Sequence, residues 1–226
     1  MSGPNNGPIL ALDASAAACS VAIRADGRSV AWRDAPMARG HAETLMPLVM
    51  AVMAEAGLAF DALGKIAVGV GPGSFTGIRI ALAAARGIGL AADRPVIGID
   101  SFNAIAAAIA PTALAGRSLL VVVDSKRAEL FGQYFDADHR PLGQALVLLP
   151  EAMLQYRPAG PLLIAGEAAG QFPPAADIGR AAGAGRPDAR DIARLAEQGH
   201  VLLAPRPLYL RPADVTLPLS RGKAAP

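Results

Sequence analysis

The segment from Gly69 to Arg79 reads GVGPGSFTGIR, and its glycines make it the first candidate for phosphate binding. Glycines let a backbone approach a phosphate closely, and the start of a helix presents free amides to an anion. A P-loop requires Lys and then Ser or Thr after its last glycine, and this segment has no Lys. The spacings of dinucleotide-binding turns and of esterase nucleophile turns fail as well. The residues alone therefore predict a tight turn, in which Gly71 and Gly73 bend the chain and Ser74 or Thr76 caps a helix.

Two acids, Asp13 and Asp124, each end an apolar run typical of a buried strand. A phosphate could be wrapped by such a turn if a glycine followed the acid, since a side chain would crowd its path. Here Asp13 is followed by Ala, with Ser15 next, and Asp124 is followed by Ser and Lys. We therefore expect both acids to form turns, and we do not expect ATP hydrolysis by this chain.

The histidines His41, His139 and His200 are far apart and show no metal-ligand spacing. The single cysteine, Cys19, excludes an intramolecular disulfide within this sequence. The sequence offers no arrangement that indicates a Ser–His–Asp triad, so covalent catalysis has little support. We predict neither a catalytic residue nor a metal site.

The composition points to a core of small aliphatic residues, because 53% of the 226 residues are hydrophobic and only 4% are aromatic. Charged residues make up 18%, fewer than usual, which suggests an apolar surface that a partner covers. The net charge is +2 and the Lys and Arg residues are scattered, so a free-standing RNA-binding module is not indicated. The first residues lack the features of a signal peptide, and Arg79 and Arg86 interrupt the apolar stretch up to Ala92. We expect a soluble, cytoplasmic protein without a membrane contact.

Hydrophobic periodicity and turn residues predict alternating strands and helices. In the first half, Asp26 and Gly27 indicate a hairpin, and Gly57 ends a helix. The predicted order there is strands at 9–13, 20–24 and 29–33, a helix at 41–56, a strand at 65–70, a helix at 76–92, a strand at 95–99 and a helix capped by Ser101 that runs to 110. In the second half it is strands at 119–124, 129–135 and 144–149, a short helix at 151–156, a strand at 161–166, irregular chain at 167–187, a helix at 188–198 and an extended tail from 203.

The order strand, Asp, strand, strand, helix, strand thus occurs twice, which indicates a weak internal duplication. An α/β fold with this duplication is the actin-like one (ASKHA, RNase H-like), with two lobes that each contain a mixed sheet flanked by helices. We expect a disordered arm at 1–8, a first lobe at 9–110 and a second lobe at 117–226. The last helix and tail are candidates for packing back on the first lobe.

The predicted helix at 41–56 is apolar over most of its circumference. One stripe comprises Leu45, Leu48, Val49 and Val52, and a second comprises Met46, Met50 and Met53. Such a helix is either fully buried in its own protein or packed on its sheet with one face and on a partner with the other. The helix at 76–92 has the same character, so the two could form one interface of helices.

Three segments resemble the TsaB (YeaZ) family, which is the dimerisation subunit of the bacterial tRNA threonylcarbamoyladenosine system. They are ILALDAS at the start, RGHAE leading into LMPL, and GVGPGSFTGIRIALAAARGIGLA. VVDSKRAELF and PLYLR resemble later segments of the family more loosely. The turns Asp-Ala-Ser and Asp-Ser-Lys-Arg depart from the family's usual Asp-Thr-Ser and Asp-Ala-Arg-Arg.

The resemblance implies an actin-like fold and a non-catalytic scaffold. It implies a heterodimer with the catalytic subunit TsaD, recruitment of the ATPase TsaE, and a homodimer that competes for the same surface. ATP would be used by the complex, and no cofactor is assigned to this chain. The chain would reach tRNA indirectly, at the adenosine beside the anticodon of tRNAs that read ANN codons. The alternative is an actin-like ATP-dependent kinase or acyltransferase that acts alone. The implied partner interface comprises Leu45, Met46, Val49, Met50, Met53, Ile78, Leu82 and Arg86. A vestigial nucleotide cleft would comprise Asp13, Ser15, Gly71, Gly73, Ser74 and Asp124.

Overall fold

The computed structural model describes residues 7–211, and its first half is built on a mixed five-stranded sheet. Three antiparallel strands come first, and two strands parallel to β1 follow on its other side. The spatial order is β3-β2-β1-β4-β5. The strands are β1 (Ile9–Ala16), β2 (Ala18–Ala25), β3 (Arg28–Pro36), β4 (Lys65–Gly69) and β5 (Val96–Ile99).

Two long helices cover one face of this sheet. Helix α1 (His41–Ala56) packs on β2 and β3, and α2 (Phe75–Ala92) packs on β1, on β4 and on α1. Glycines in the left-handed region flank α1, with φ of 88° at Gly40 and 63° at Gly57. Alternate strand residues such as Leu10, Leu12 and Val68 point into this core, as a half-buried sheet face requires.

The second half repeats the same sheet topology. Its spatial order is β10-β9-β6-β7-β8, with β6, β7 and β8 antiparallel and β6, β9 and β10 parallel. The strands are β6 (Ser118–Asp124), β7 (Leu130–Phe135), β8 (Pro141–Leu148), β9 (Leu162–Ala165) and β10 (Ile178–Arg180). The internal duplication and the actin-like fold class are thereby confirmed.

The two halves differ in their helices. Where the first half has α1, the second has only α5 (Pro150–Met153) and a 3-10 turn at Leu154–Tyr156. Where the first half has α2, the second has a 3-10 turn at Ala169–Gln171. Among the described residues, the two long helices that share one face therefore belong to the first sheet.

Two further helices connect the halves. Helix α3 (Ser101–Ala107), followed by the short α4 (Pro111–Leu114), packs on β6 and β7. Helix α6 (Ala189–Gln198) comes after the second sheet but packs on β1, β2 and β4 of the first, opposite α1 and α2. Its small and aliphatic residues, with Ile192 and Leu195 among them, cover Ile9, Ala11 and Ala67. The exact domain boundaries remain a prediction.

Residues 203–211, here called the C-terminal strap, run back over the first sheet and across to the second. Leu203 exchanges two backbone hydrogen bonds with Gly98, and the amide of Leu208 donates to the carbonyl of Val70 at 2.8 Å. At the far end, Arg211 forms an ion pair with Glu129 at 2.9 Å. The strap therefore contacts both halves of the chain.

Most predicted elements are confirmed, and the differences have local causes. The carboxylate of Asp100, not the hydroxyl of Ser101, caps α3, and α3 ends at Ala107 because Pro111 forces Ala110 out of the helical region. Strand β8 begins at Pro141 rather than at 144, since Asp136 closes a tight turn by accepting from two backbone amides. The segment 167–187 is not wholly irregular, because it contains β10.

Of the predicted arm at 1–8, residues 1–6 lie outside the described residues. Gly7 and Pro8, however, are packed: the amide of Gly64 donates to the carbonyl of Pro8 at 2.8 Å. A Cβ on Gly7 would lie 2.8 Å from the backbone nitrogen of Gly64, so the two glycines lie in direct contact. The last part of the predicted second lobe, 212–226, also lies outside the described residues.

Candidate functional site

The end of β1 forms a compact turn around the carboxylate of Asp13. The backbone amide of Ser15 donates to Asp13 at 3.0 Å, and the Ser15 hydroxyl donates to the same carboxylate at 2.9 Å. Asp13 is 1% exposed, and burial raises its pKa to about 7 although the two Ser15 contacts work to lower it. Asp13 is thus a turn-forming residue, as its sequence context predicted.

The glycine-rich turn after β4 packs directly on this first turn. The Ser74 amide donates to the Ser15 carbonyl at 2.7 Å, and the Ser74 hydroxyl caps α2 by accepting from the Gly77 amide. A Cβ on Gly73 would lie 2.3 Å from the Ser15 carbonyl oxygen, and one on Gly77 would lie 1.8 Å from that of Ala14. These two glycines are therefore required for the close contact between the two turns.

The predicted vestigial nucleotide cleft is brought together only in part. Asp13, Ser15, Gly71, Gly73 and Ser74 form one cluster, whose Gly71 carbonyl accepts from the Ser101 amide at 2.8 Å. The crevice between Ser15 and the second half, at Val123 and Glu167, has no space for even a water-sized molecule.

Asp124 forms a separate turn at the end of β6. Its carboxylate accepts from the Lys126 amide at 2.6 Å and pairs with the Lys126 ammonium at 2.8 Å. Burial works to raise the pKa of Asp124, but these contacts outweigh it and hold the pKa below its usual value. The charge of Asp124 is therefore already compensated within its own turn.

The histidines and the cysteine have structural environments. His41 starts α1, and its Nε2 lies 3.0 Å from the carbonyl oxygen of Ala16. Cys19 is buried, which raises the pKa of its thiol to about 11, so it is a poor nucleophile. Within residues 7–211, no group of three or more His, Cys, Asp or Glu side chains is placed to hold a metal ion.

The predicted partner interface needs a correction, because five of its eight residues face inward. They pack against the first sheet and are at most 3% exposed: Leu45, Val49, Met53, Ile78 and Leu82. The stripe of Leu45, Leu48, Val49 and Val52 therefore belongs to the core of this chain. In the Met stripe, Met53 is buried but Met46 is 39% and Met50 is 55% exposed, so the helix is not fully buried on the described chain, and a partner on these two side chains stays a prediction. Arg86 is also exposed, with its guanidinium donating to the carbonyl of Pro205 in the strap.

An apolar groove of about 660 Å³ lies between the outer faces of α1 and α2. Met46 and Met50 form one wall, and the turn at 59–61 closes one end. The other wall consists of mostly small residues of α2: Ala83, Ala84, Gly87, Ile88, Ala91 and Ala92. Here this feature is called the α1–α2 groove. Asp61 is the one ionisable residue in its described lining.

Gly87 is the residue of this groove that sequence reasoning missed. A Cβ placed on it would meet no atom within 4 Å, whereas one on Gly77 or Gly89 in the same helix would clash. A glycine inside a helix costs about 1 kcal/mol relative to Ala, so its own chain gives no reason for it. The spacing of Ala83, Gly87 and Ala91, four residues apart, is the sequence signal that could have indicated a close approach at this face.

Comparison with known proteins agrees with the fold described above. The family model described as TsaD, tRNA N6-adenosine threonylcarbamoyltransferase, matches residues 35–217. The solved structure of YeaZ from Pseudomonas aeruginosa superposes with a TM-score of 0.78 at 29% identity, and covers 90% of this chain and 100% of that one. The tRNA threonylcarbamoyladenosine biosynthesis protein TsaB is 33% identical over 123 residues in Haemophilus influenzae and 32% identical over 130 residues in Escherichia coli. The chain belongs to the TsaD superfamily, in its TsaB (YeaZ) branch.

The TsaB relatives match over part of their length. The alignment with the Haemophilus protein covers 54% of this chain and 51% of the relative, and that with the Escherichia coli protein covers 58% and 55%. The chain thus spans about half the length of these curated TsaB relatives. The YeaZ structure, by contrast, covers 90% of this chain and 100% of that one, so the fold assignment does not rest on one half of the chain alone.

Helix α2 is long and apolar enough to cross a membrane by length and composition. In the structure, however, one side of it is buried against β1 and β4 through residues such as Ile78, Ala81 and Ala85. Arg79 and Arg86 lie on its exposed side. This pattern is that of a core helix with one free face.

Proposed function

We propose that this chain is a non-catalytic subunit of the machinery that forms threonylcarbamoyladenosine in tRNA, and that it pairs with a TsaD subunit through the α1–α2 groove. The observation that carries the proposal is the groove itself. It is apolar, it is exposed on the described chain, and Gly87 opens its floor to the close approach of another helix. The process, threonylcarbamoyladenosine biosynthesis in tRNA, is taken from the names of its TsaB relatives.

The scaffold role is supported by the filled turns at the ends of β1 and β4. Transfer of a threonylcarbamoyl group from an adenylate requires a site that holds the reactants, and the position where actin-like proteins would hold phosphates is occupied here by contacts between Ser15, Gly73 and Ser74. Catalysis is therefore assigned to TsaD, with ATP used through TsaE. A homodimer would use the same α1–α2 groove and so would compete with TsaD.

The alternative, an actin-like kinase or acyltransferase acting alone, requires space for a triphosphate beside Asp13. The crevice there is closed in the described chain. Moving Gly73 away from Ser15 would break the hydrogen bond from the Ser74 amide to the Ser15 carbonyl. No observation favours this alternative.

Reconstitution of tRNA modification with TsaD and TsaE, with and without this chain, tests the process. We expect threonylcarbamoyladenosine formation to depend on the chain in a stoichiometric ratio to TsaD, with no turnover by the chain alone. Full activity of TsaD and TsaE in its absence would rule out the scaffold role.

The groove is tested by Met50→Glu, with Leu149→Glu as the matched control. The two side chains are similarly exposed, at 55% and 47%, but Leu149 lies in the second half of the chain. A carboxylate buried in the interface without a partner costs several kcal/mol, which corresponds to a loss of more than about a hundredfold in affinity. Co-elution of Met50→Glu with TsaD at the level of the control would place the interface on another face.

A further inference from the structure

The α1–α2 groove contains a single carboxylate in its described lining, and this group lies at the closed end. Asp61 belongs to a 3-10 turn at Phe60–Ala62, which packs against α2. The other residues that line the groove on the described chain have neither charged nor polar side chains. A partner that covers the groove removes water from the carboxylate, which costs free energy unless the partner supplies a compensating group. The position of Asp61 therefore restricts which partner the groove can accept.

The charge of Asp61 is not compensated by an ion pair within the described chain. Its side chain is exposed and forms neither an ion pair nor a hydrogen bond with the described residues. Arg94 donates to the backbone carbonyl of Asp61 at 2.5 Å, so its guanidinium fixes the turn beside α2 without binding the carboxylate. By contrast, Glu55 near the end of α1 is paired with Arg33. The Asp61 carboxylate is thus held in place at the groove with its oxygens available to a partner.

The shape of the groove favours a helix as its occupant. A Cβ on Gly87 would meet no atom within 4 Å, and Ala83 and Ala91 lie about one helical turn away on either side of it. Small side chains at this spacing let the backbone of a second helix approach closely. Because Arg94 holds Asp61 beyond the end of α2, the carboxylate lies about one to two turns from Gly87 along the groove.

We propose that Asp61 determines which partner the groove binds, by accepting an ion pair from a lysine or arginine on an apolar helix of TsaD. This cation would lie about one to two turns from the small residue of that helix that meets Gly87. An ion pair covered by an interface is screened less by water than one on an open surface, so a missing or wrong charge there is costly. The inference rests on the proposed function, and it adds the chemistry by which the groove recognises TsaD.

A second copy of this chain does not offer the group that Asp61 requires. In a two-fold dimer each copy presents the same surface to the other, and the described lining of the groove contains no lysine or arginine. Arg86 lies outside this lining and already donates to the carbonyl of Pro205. Two Asp61 carboxylates would then be covered without a cation. Asp61 therefore favours the heterodimer over the homodimer that would compete for the same groove.

Asp61→Asn and Asp61→Lys test the proposal, with Asp93→Asn as the matched control. Asp93 is also an exposed aspartate and directly follows α2, but it does not line the groove. Calorimetric titration of the full chain with TsaD at low and high salt measures the heterodimer, and sedimentation equilibrium of the chain alone measures the homodimer. Thermal unfolding of each variant confirms that the substitution leaves the fold intact.

We expect Asp61→Asn to weaken TsaD binding by about five- to tenfold, and Asp61→Lys by about a hundredfold or more. The affinity of the wild type should also fall more steeply with salt than that of Asp61→Asn. The homodimer should respond in the opposite sense and become tighter in Asp61→Asn, whereas Asp93→Asn should change neither complex. Equal TsaD affinities for Asp61→Asn and Asp93→Asn would overturn the proposal, as would a homodimer that Asp61→Asn weakens as much as the heterodimer.

The groove and the ion pair at its end fail in different ways. If Met50→Glu loses TsaD but both Asp61 variants bind it as the wild type does, the groove is the interface and the role of Asp61 is rejected. If Met50→Glu and Asp61→Lys both bind TsaD normally, the partner uses another face, and the interface in the proposed function is rejected together with the ion pair.

Discussion

Gly87→Ala and Gly77→Ala are the same substitution in the same helix, and the structure predicts opposite effects for them. At Gly87 the added methyl meets no atom within 4 Å. The exchange therefore gains helix propensity of about 0.8–1.0 kcal/mol. For a chain of this size that gain raises the melting temperature of the isolated protein by about 2–4 °C.

At Gly77 the added methyl would lie 1.8 Å from the carbonyl oxygen of Ala14. Since α2 and β1 would have to separate, the cap from Ser74 and the contact between Ser74 and Ser15 would be strained together. We expect a loss of at least about 1–3 kcal/mol, the range for overpacked cores, and so a clear fall in the melting temperature.

Circular dichroism during heating, together with urea titration, measures both variants against the wild type. Co-elution with TsaD is measured as well. Gly87→Leu should keep the fold but lose co-elution, because a large side chain fills the α1–α2 groove. If Gly87→Ala lowers stability, the groove is covered by this chain itself, and if Gly87→Leu assembles normally, no partner approaches there.

Three further outcomes follow from single contacts. The pKa of Asp13 is about 7 in the folded state and 3.8 ordinarily, so the folded state binds the proton more tightly. Relative to Asp13→Asn, the free energy of unfolding of the wild type should therefore fall as pH rises from about 4 to 7. Urea unfolding at each pH measures this, and parallel profiles for the two proteins would contradict the raised pKa. Asp188→Ala removes the α6 cap and should cost about 1 kcal/mol in urea unfolding, whereas Asp138→Ala in the exposed turn should cost little. Gly98→Val would bring its Cβ to 2.6 Å from the Val70 side chain and 2.8 Å from the Ala204 carbonyl oxygen, and should detach the strap. Detachment would be seen as faster chymotryptic cleavage after Tyr209, and an unchanged rate would show that the strap tolerates the displacement.

The sequence predicts the architecture well because its signals are local. Asp26 and Gly27, with φ of 50° and 76°, form the hairpin turn that their types indicate, and Asp188 and Gly199 bound α6 as predicted. The resemblance to the TsaB family also holds. The fold class depended on recognising that one order of elements occurs twice, and the equal strand orders of the two sheets confirm it.

The candidate sites were less predictable, because exposure is a tertiary property. Leu45 and Met46 are neighbours on one apolar helix, yet Leu45 is in the core and Met46 is 39% exposed. The β10 strand was missed because three residues, Ile178–Arg180, carry too little periodicity to be read.

The position of α6 has a consequence for synthesis on the ribosome. The first sheet is made early, but its face at Ile9, Ala11 and Ala67 packs on residues 189–198 of α6, which are made late. We therefore expect that face to remain without its α6 cover until residue 198 has been made. A chain that lacked residues 189–198 would leave the apolar side of the first sheet at Ile9, Ala11 and Ala67 without its α6 cover.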